Sequence, residues 1–547
     1  MKLKKNTFIQ GAFIATLGIV ISKILGIIYV IPFRAFVGKQ GGALYGYAYS
    51  IYSIFLAISQ AGVPLAMSRL ISEYNTLGQY ANKEKIFKVG RKFLNILGII
   101  SFIILFVFAP QISSVIKGGV EGGNSTEDIV LVIRLISFAV LIVPILSVSR
   151  GYLQGHRYIT PTSISQVIEQ IVRVTIIVVG SFVCARVLHL PLSVSVGCSV
   201  AAATIGAVSS YIYLKIKMVK NKKELNVVLD NDKATLSTKE IMKMILIYAL
   251  PLILIELFRS IFNSVDVFML VKNLVNNFGF AAEEAEYVLS IVTTWGSKLN
   301  NIIVSIVAGL MTSLIPNLTR SIVKNDKADI SLKINQTFEI ILGISLPMTI
   351  GLSFLAPLVW NVFYGLGVDD LGPIAYQLLV FNAFATCLFS ASMTVAQLMK
   401  EYKLVVIGLI SGFLFKVLLN VPMMYLFNAL GIYPFYGSIS TSILAFILTS
   451  SFVMFYVVKK YKINIKPAIK VFGNILLGLF LMLLVMSVMK IIIPFRYNDR
   501  LLSLLIVVIY SLVGGSVYLF YMYISRTINK IFGKENVDRI MNKLKRH

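Results

Sequence analysis

Apolar runs long enough to cross a bilayer recur about fourteen times along this chain, and that recurrence limits the fold more than any other feature. A spanning helix needs roughly 20 apolar residues. In lipid it must satisfy its own backbone polar groups, because water is absent. The runs cover 8–33, 43–72, 93–116, 128–153, 163–187, 192–215, 241–270, 287–316, 337–362, 373–399, 403–427, 437–458, 468–493 and 501–524. Hydrophobic residues make up 57% of the chain and charged residues 14%, too apolar a balance for a soluble surface. Lys2, Lys4 and Lys5 precede the first run, which is longer than a signal-peptide core and has no A-x-A cleavage site. It reads as a retained span. The expectation is an all-α polytopic membrane protein of 14 transmembrane helices.

The distribution of bases orients these spans. With the N-terminus inside, the cytoplasmic connections carry Lys83, Lys85, Lys88, Arg91 and Lys92, then Arg157, then Lys215, Lys217, Lys220, Lys222, Lys223, Lys233 and Lys239. Later ones carry Arg320, Lys324, Lys327 and Lys333, then Lys400 and Lys403, then Lys459, Lys460, Lys462 and Lys466. The opposite connections hold only Arg34, Lys39, Lys117, Arg186, Lys272, Arg496 and Arg500. This is the positive-inside pattern, and missing one span would invert every later connection. It predicts a multi-pass protein of a bacterial cytoplasmic membrane with both termini in the cytoplasm. The net charge of +27, which in a soluble chain points to nucleic acid, is explained by this topology, so no nucleic-acid partner is expected.

Enzymatic and metal chemistry find no support. Cys184, Cys198 and Cys387 lie inside apolar runs and read as small core residues, not as a disulfide set. His156, His189 and His547 have no metal-ligand spacing, and no nucleophile elbow, phosphate-binding loop or H-E-x-x-H motif occurs. No catalytic residue, metal or cofactor is expected.

The chain also reads as a repeat. Val63-Pro64 followed by Ser68-Arg69-Leu70-Ile71 is echoed by Ile315-Pro316 followed by Arg320-Ser321-Ile322-Val323. Gln154, Arg157 and Arg173 recur 243 residues later as Gln397, Lys400 and Lys416. Six crossings per half make the repeats parallel, related by an axis along the membrane normal. The expected organisation is an N-lobe at 1–215, a polar cytoplasmic linker at 216–240 and a C-lobe at 241–458. Two extra helices follow in 459–524, then a tail at 525–547 whose Ile528, Ile531, Phe532, Val537, Ile540, Met541 and Leu544 give it an amphipathic pattern.

Charges within the apolar runs are costly, at least about 2.5–3.5 kcal/mol each on insertion scales, and such residues face a partner or a wet cavity. Lys23, Arg134, Arg150, Arg173, Arg259, Lys298 and Lys416 outnumber Glu169, Glu256 and Asp266 seven to three. Fixed cations suit phosphate oxygens, which take several donors, whereas a transporter of cationic drugs should show the reverse bias. Lys23, Arg34, Arg134, Arg173, Arg259 and Lys298 are the candidates for binding a diphosphate. Asp266, Glu256 and Glu169 are the candidates for ion coupling or charge pairing. Glu169 and Arg173 are four residues apart and can neutralise each other, as can Glu256 and Arg259. Asp266 has no base nearby on its own helix and is the candidate for a coupling cation, Na or H.

The passage Arg150-Gly151-Tyr152-Leu153-Gln154-Gly155, Pro161-Thr162 and Ser165-Gln166-Val167-Ile168-Glu169-Gln170-Ile171-Val172-Arg173-Val174 resembles the SpoVB/YtgP group. That group belongs to the multidrug/oligosaccharidyl-lipid/polysaccharide (MOP) exporter superfamily and includes the MurJ-type lipid II flippases. Ser22-Lys23-Ile24-Leu25-Gly26, and Gly62-Val63-Pro64 with Ser68-Arg69-Leu70-Ile71-Ser72-Glu73, fit the same group. The resemblance spans the chain. It implies two lobes around a central cationic cavity that opens alternately to the two membrane faces, with the last two spans forming a groove for a polyprenyl tail. Lys23 carries over as a cavity cation, and Lys298 falls close to a basic position in the eighth span. The family's second base in the first span is Tyr29 here, with Arg34 the nearest base. The implied function is a flippase for lipid II or a related lipid-linked glycan, among membrane lipids and the cell-wall synthesis machinery, reset by the membrane potential or a cation. The other readings are a flippase for teichoic acid, capsule or spore-cortex precursors, and a cation-coupled multidrug antiporter.

Overall fold

The computed structural model describes residues 8–60, 62–225, 234–367, 370–496 and 499–532. The part of the expected amphipathic tail beyond 532, including Val537, Ile540, Met541 and Leu544, lies outside the described residues, as do the middle of the 216–240 linker and the side chain of Pro316. Among the described residues every regular element is a helix. Twelve stretches are long and apolar enough to cross a membrane. Helices Phe8–Ile28 and Gly296–Val323 occupy the places of the first and eighth expected spans, so the order follows the fourteen apolar runs.

The chain divides into two compact units, Met1–Trp295 and Gly296–His547. The first contains α1 (Phe8–Ile28), α2 (Val30–Gln60), α3 (Val63–Thr76), α4 (Tyr80–Val107), α5 (Ala109–Lys117), α6 (Thr126–Gly155), α7 (Ile159–Phe182), α8 (Leu192–Lys220), the one-turn α9 (Lys222–Leu225), α10 (Thr238–Phe278) and α11 (Ala282–Ser290). A π-helical turn at Ile291–Trp295 closes it. The second contains α12 (Gly296–Val323), α13 (Lys327–Phe354), α14 (Ala356–Tyr364), α15 (Leu371–Leu398), α16 (Tyr402–Ala429), α17 (Phe435–Tyr461), α18 (Lys466–Ile492), α19 (Arg500–Ile524) and α20 (Thr527–Phe532).

Two local arrangements recur in the two units. Each unit has a 28-residue helix followed directly by a nine-residue helix that opens Ala-Pro: α4 with α5 and α13 with α14. Proline suits the first turn of a helix, where its missing N–H would lack a partner anyway. The next helix ends alike in both. After α6, Arg157 turns to φ 65°, with Arg157 N donating to Gln154 O at 2.9 Å and Tyr158 N to Leu153 O at 2.9 Å. After α15, Lys400 turns to φ 62°, with Lys400 N donating to Gln397 O at 2.9 Å and Glu401 N to Ala396 O at 2.9 Å. Both are the left-handed terminus that satisfies the last carbonyls of a helix. Hydrogen bonds from Lys460 and Tyr461 hold the Glu401 carboxyl in this turn below its ordinary range.

The unit boundary falls at Trp295/Gly296, inside the eighth apolar run, and not in the 216–240 connection. Packing explains the position. Helix α10 lies on α2, α3, α4 and α5, and its Ile241, Ile245 and Ala249 join the core of Val63, Met67 and Leu70. Gly62 makes the approach close: a Cβ there would stand 2.2 Å from Ala249 O. The backbone of Gly62 (φ −96°) admits alanine, so the obstacle is purely steric. Gly62→Ala is expected to destabilise the protein by about 1–3 kcal/mol, the usual cost of overpacking, read as a lower apparent melting temperature of the purified protein in detergent.

Candidate functional site

The charged candidates of the first unit fall into three environments. Arg34 and Arg134 are absorbed by the fold. Arg34 on α2 is buried, and its Nη2 donates to Tyr287 Oη at 3.3 Å. Its guanidinium lies 5.0 Å from the Tyr287 ring and 5.1 Å from the Trp295 ring, a cation–π cage that ties α2 to α11 and the π turn. Arg134 on α6 donates from Nε to Phe106 O, near the end of α4, at 3.3 Å and lies 5.2 Å over the Phe106 ring. Neither enters the mechanism proposed below.

The second environment joins α6, α7 and α8. Arg150 Nη2 pairs with Glu169 Oε2 at 2.8 Å and donates to Ser210 Oγ at 3.0 Å, while its Nε donates to Ser165 Oγ at 3.0 Å. Glu169 therefore takes its ion pair from Arg150 on the neighbouring helix and not from Arg173 one turn away. Arg150 is a bonded part of the helix interface, not a base stretching toward the membrane surface. Arg173 instead lies 5.8 Å over the Tyr49 ring, within hydrogen-bonding reach of Tyr52. Its Nε is buried with no acceptor among the described residues. Tyr49 stacks on Tyr45 with centroids 4.2 Å apart, and the Tyr45 and Tyr29 hydroxyls are 3.4 Å apart. This tyrosine ladder escaped the sequence reading, although 45, 49 and 52 share one helical face. It gives Arg173 a hydroxyl-rich, aromatic seat.

The third environment is accessible at Lys23, Glu256 and Arg259. Lys23 is exposed on α1, the helix that rests on α7, where Gly26 meets Gln170 and Gly18 meets Ser163. On α10, Arg259 pairs with Glu256 at 2.5 Å, with the two side chains 40% and 34% exposed, so this pair can open to a competing anion. Asp266, lower on the same helix, is buried. Beside it Ser264 Oγ donates to Ser50 O at 3.3 Å and to Ser260 O at 2.8 Å. The α10 candidates thus share one helix packed on α2, while Lys23 stands on another.

In the second unit Lys298 is half-buried near the start of α12. Lys416 is fully buried and donates to Ser438 O at 2.9 Å and Ser442 Oγ at 2.6 Å. It stands at the repeat position of Arg173, and serines of α17 serve it where tyrosines of α2 serve the arginine. Ser442 retains an acceptor, Ser438 O at 3.3 Å, when the lysine is removed. Lys416→Met removes a buried charge together with its desolvation cost and is therefore expected to change stability by less than about 1 kcal/mol. Melting of the purified variant checks this. Among the described residues no group of three or more His, Cys, Asp or Glu side chains is arranged to hold a metal ion.

Comparison with known proteins places these groups in a family context. The profile of the family described as polysaccharide biosynthesis protein matches residues 8–321. Lipid II flippase MurJ of Bacillus subtilis (strain 168) is 32% identical over 554 residues, 97% of each chain. Stage V sporulation protein B of the same organism is 25% identical over 240 residues, 43% of this chain and 44% of that one. Among solved structures, a lipid II flippase MurJ in an inward closed conformation superposes with TM-score 0.66 at 15% identity, over 94% of this chain and 99% of that chain. An inward-facing multidrug resistance MATE family transporter of the MOP superfamily superposes with TM-score 0.63 at 15% identity, over 82% and 98%. At that identity the two structures establish the fold, and the sequence matches bear out the resemblance read from residues 150–174.

Proposed function

The chain belongs to the polysaccharide biosynthesis protein family and is a multi-pass bacterial membrane protein with the MOP transporter fold; from this premise we propose that it is a flippase that moves lipid II from the inner to the outer leaflet for peptidoglycan synthesis. The observation that carries the reading is the 32% identity to lipid II flippase MurJ across 97% of both chains. The excess of bases over acids in the spans accords with it, because the shared chemistry of polyprenyl-linked precursors is a diphosphate.

In the mechanism we propose, the diphosphate head group enters from the cytoplasmic side and pairs with Lys23, Lys298 and Arg259, the last released from Glu256. Arg173, seated among tyrosines, supplies a fixed positive field. The polyprenyl tail stays in the bilayer, with α18 and α19, in 459–524, as its groove. The sequence halves 1–215 and 241–458 supply the repeated spans of the cycle, and both termini face the cytoplasm. The cell-wall synthesis machinery takes up the product. The membrane potential, worth about 2.3 kcal/mol per charge per 100 mV, or a cation at Asp266 resets the carrier.

Depletion of the protein in a strain with no other lipid II flippase tests the reading. Lipid II is expected to accumulate in the inner leaflet and to return to the outer one on complementation. Undiminished outward exposure would transfer the assignment to another carrier-linked glycan, such as a teichoic acid, capsule or spore-cortex precursor. The fold likeness to a multidrug transporter offers a second reading, a cation-coupled antiporter, which predicts cationic drug efflux in the same strain.

A further inference from the structure

Within the second unit a cavity of about 500 Å³ opens between α13, α18 and α20. Its volume lies in the range of small-molecule sites, roughly 300–1,000 Å³. Helix α13 lines it with Ser331, Asn335 and Glu339, the connection to α18 with Asn464, α18 with Lys470 and α20 with Lys530. The frame is fixed: Asn335 Nδ2 donates to Asn464 O at 2.6 Å, Asn464 N to Ser331 Oγ at 3.1 Å, and Asn474 Nδ2 to Thr527 Oγ1 at 2.8 Å, which docks α20 on α18.

The electrostatics are specific. Glu339 is 4% exposed, and what acts on its carboxyl is burial and Lys530, with no hydrogen bond from the described residues. Lys530 acts on it through space, and Lys470 and Lys530 are exposed at the mouth. A carboxylate on a cavity wall that receives no donor from the protein is open to one from a ligand. A diphosphate would set its charge against Glu339, and a simple cation would meet two lysines on the way in. A ligand carrying both signs satisfies every group. The cavity lies where α13 and α18 begin and α19 ends, the side that carries Lys327, Lys333, Lys466 and Arg526. We propose that this cavity binds a phosphoethanolamine group, its ammonium on Glu339 and its phosphate on Lys470 and Lys530, as the head group of a phosphatidylethanolamine of the adjoining leaflet. This lipid site is argued from the cavity alone, and its test reads no transport.

Native mass spectrometry of the full-length protein in detergent, with phosphatidylethanolamine and phosphatidylglycerol of identical acyl chains, decides it. Phosphatidylethanolamine is expected to be retained about tenfold better, the worth of one charge-assisted contact. Glu339→Gln should abolish this preference while keeping phosphatidylglycerol retention at the wild-type level, which also shows that the variant is folded. Lys470→Ala with Lys530→Ala should lower retention of both lipids. Competition by soluble glycerophosphoethanolamine would show that the head group alone suffices, and lack of it that the bilayer lipid is the source. Equal retention of the two lipids by the wild type, or a preference that survives Glu339→Gln, would overturn the proposal.

Discussion

Lys23→Ala is expected to abolish rescue of a flippase-depleted strain while the protein reaches normal membrane levels. The cause is local. Lys23 is exposed on α1 in a span whose flanking residues are apolar, so its ammonium is a cation held at bilayer depth. A charge-assisted contact to a phosphate oxygen is worth about 1.5–3 kcal/mol, or roughly 10- to 150-fold in transport. Lys23→Arg should recover most of the activity, since arginine also serves phosphate oxygens. Lys23→Met, which keeps length but not charge, should behave like alanine. Outward exposure of lipid II, measured at matched protein levels, separates these outcomes. A fully active methionine variant would remove Lys23 from the mechanism.

Arg150→Ala should produce the largest loss of stability. The arginine makes three polar contacts that join α6, α7 and α8, and both members of its ion pair are nearly buried, at 11% and 13% exposure. Its removal leaves the largely buried Glu169 carboxylate without its counter-ion. Breaking a buried pair from one side costs about 3–5 kcal/mol. Removing both charges costs much less, because no orphan remains. Arg150→Met with Glu169→Gln is therefore expected to be more stable than Arg150→Met alone, with a coupling energy of at least about 1.5 kcal/mol in a double-mutant cycle. Melting of the four proteins in detergent gives the cycle. Additive losses would mean that the ion pair does not hold this interface together.

These two residues also mark how far the sequence could be read. Periodicity and charge asymmetry located the spans because spanning length and loop charge are one-dimensional properties. The 243-residue spacing was legible at Arg157 and Lys400, each of which ends a helix in the left-handed conformation. The Ala-Pro helices at 109–117 and 356–364 stand 247 residues apart, so a single offset misses them. The partner of Glu169 was not legible. A helical wheel offers Arg173, but the side chain that reaches the carboxylate comes from a different helix, 19 residues upstream. Arg34 and Arg134 read as cavity bases for the same reason: only the packed structure places Tyr287, Trp295 and the Phe106 carbonyl beside them. The tyrosines around Arg173 were visible as one helical face, yet nothing in their spacing names the cation that they receive.

The allegiance of α10 has a genetic consequence. It follows the polar 216–240 connection, but its Ile241, Ile245 and Ala249 complete the core around Met67. A gene severed at the polar connection and expressed as two polypeptides would divide that core between two products. The upstream product, made alone, would expose the apolar surface of α3 and α4 and be a target for quality-control proteolysis. Moving the cut downstream, past Trp295, keeps the core in one product. In this protein the polar connection and the border of the packed units lie at different places, and split genes should respect the second.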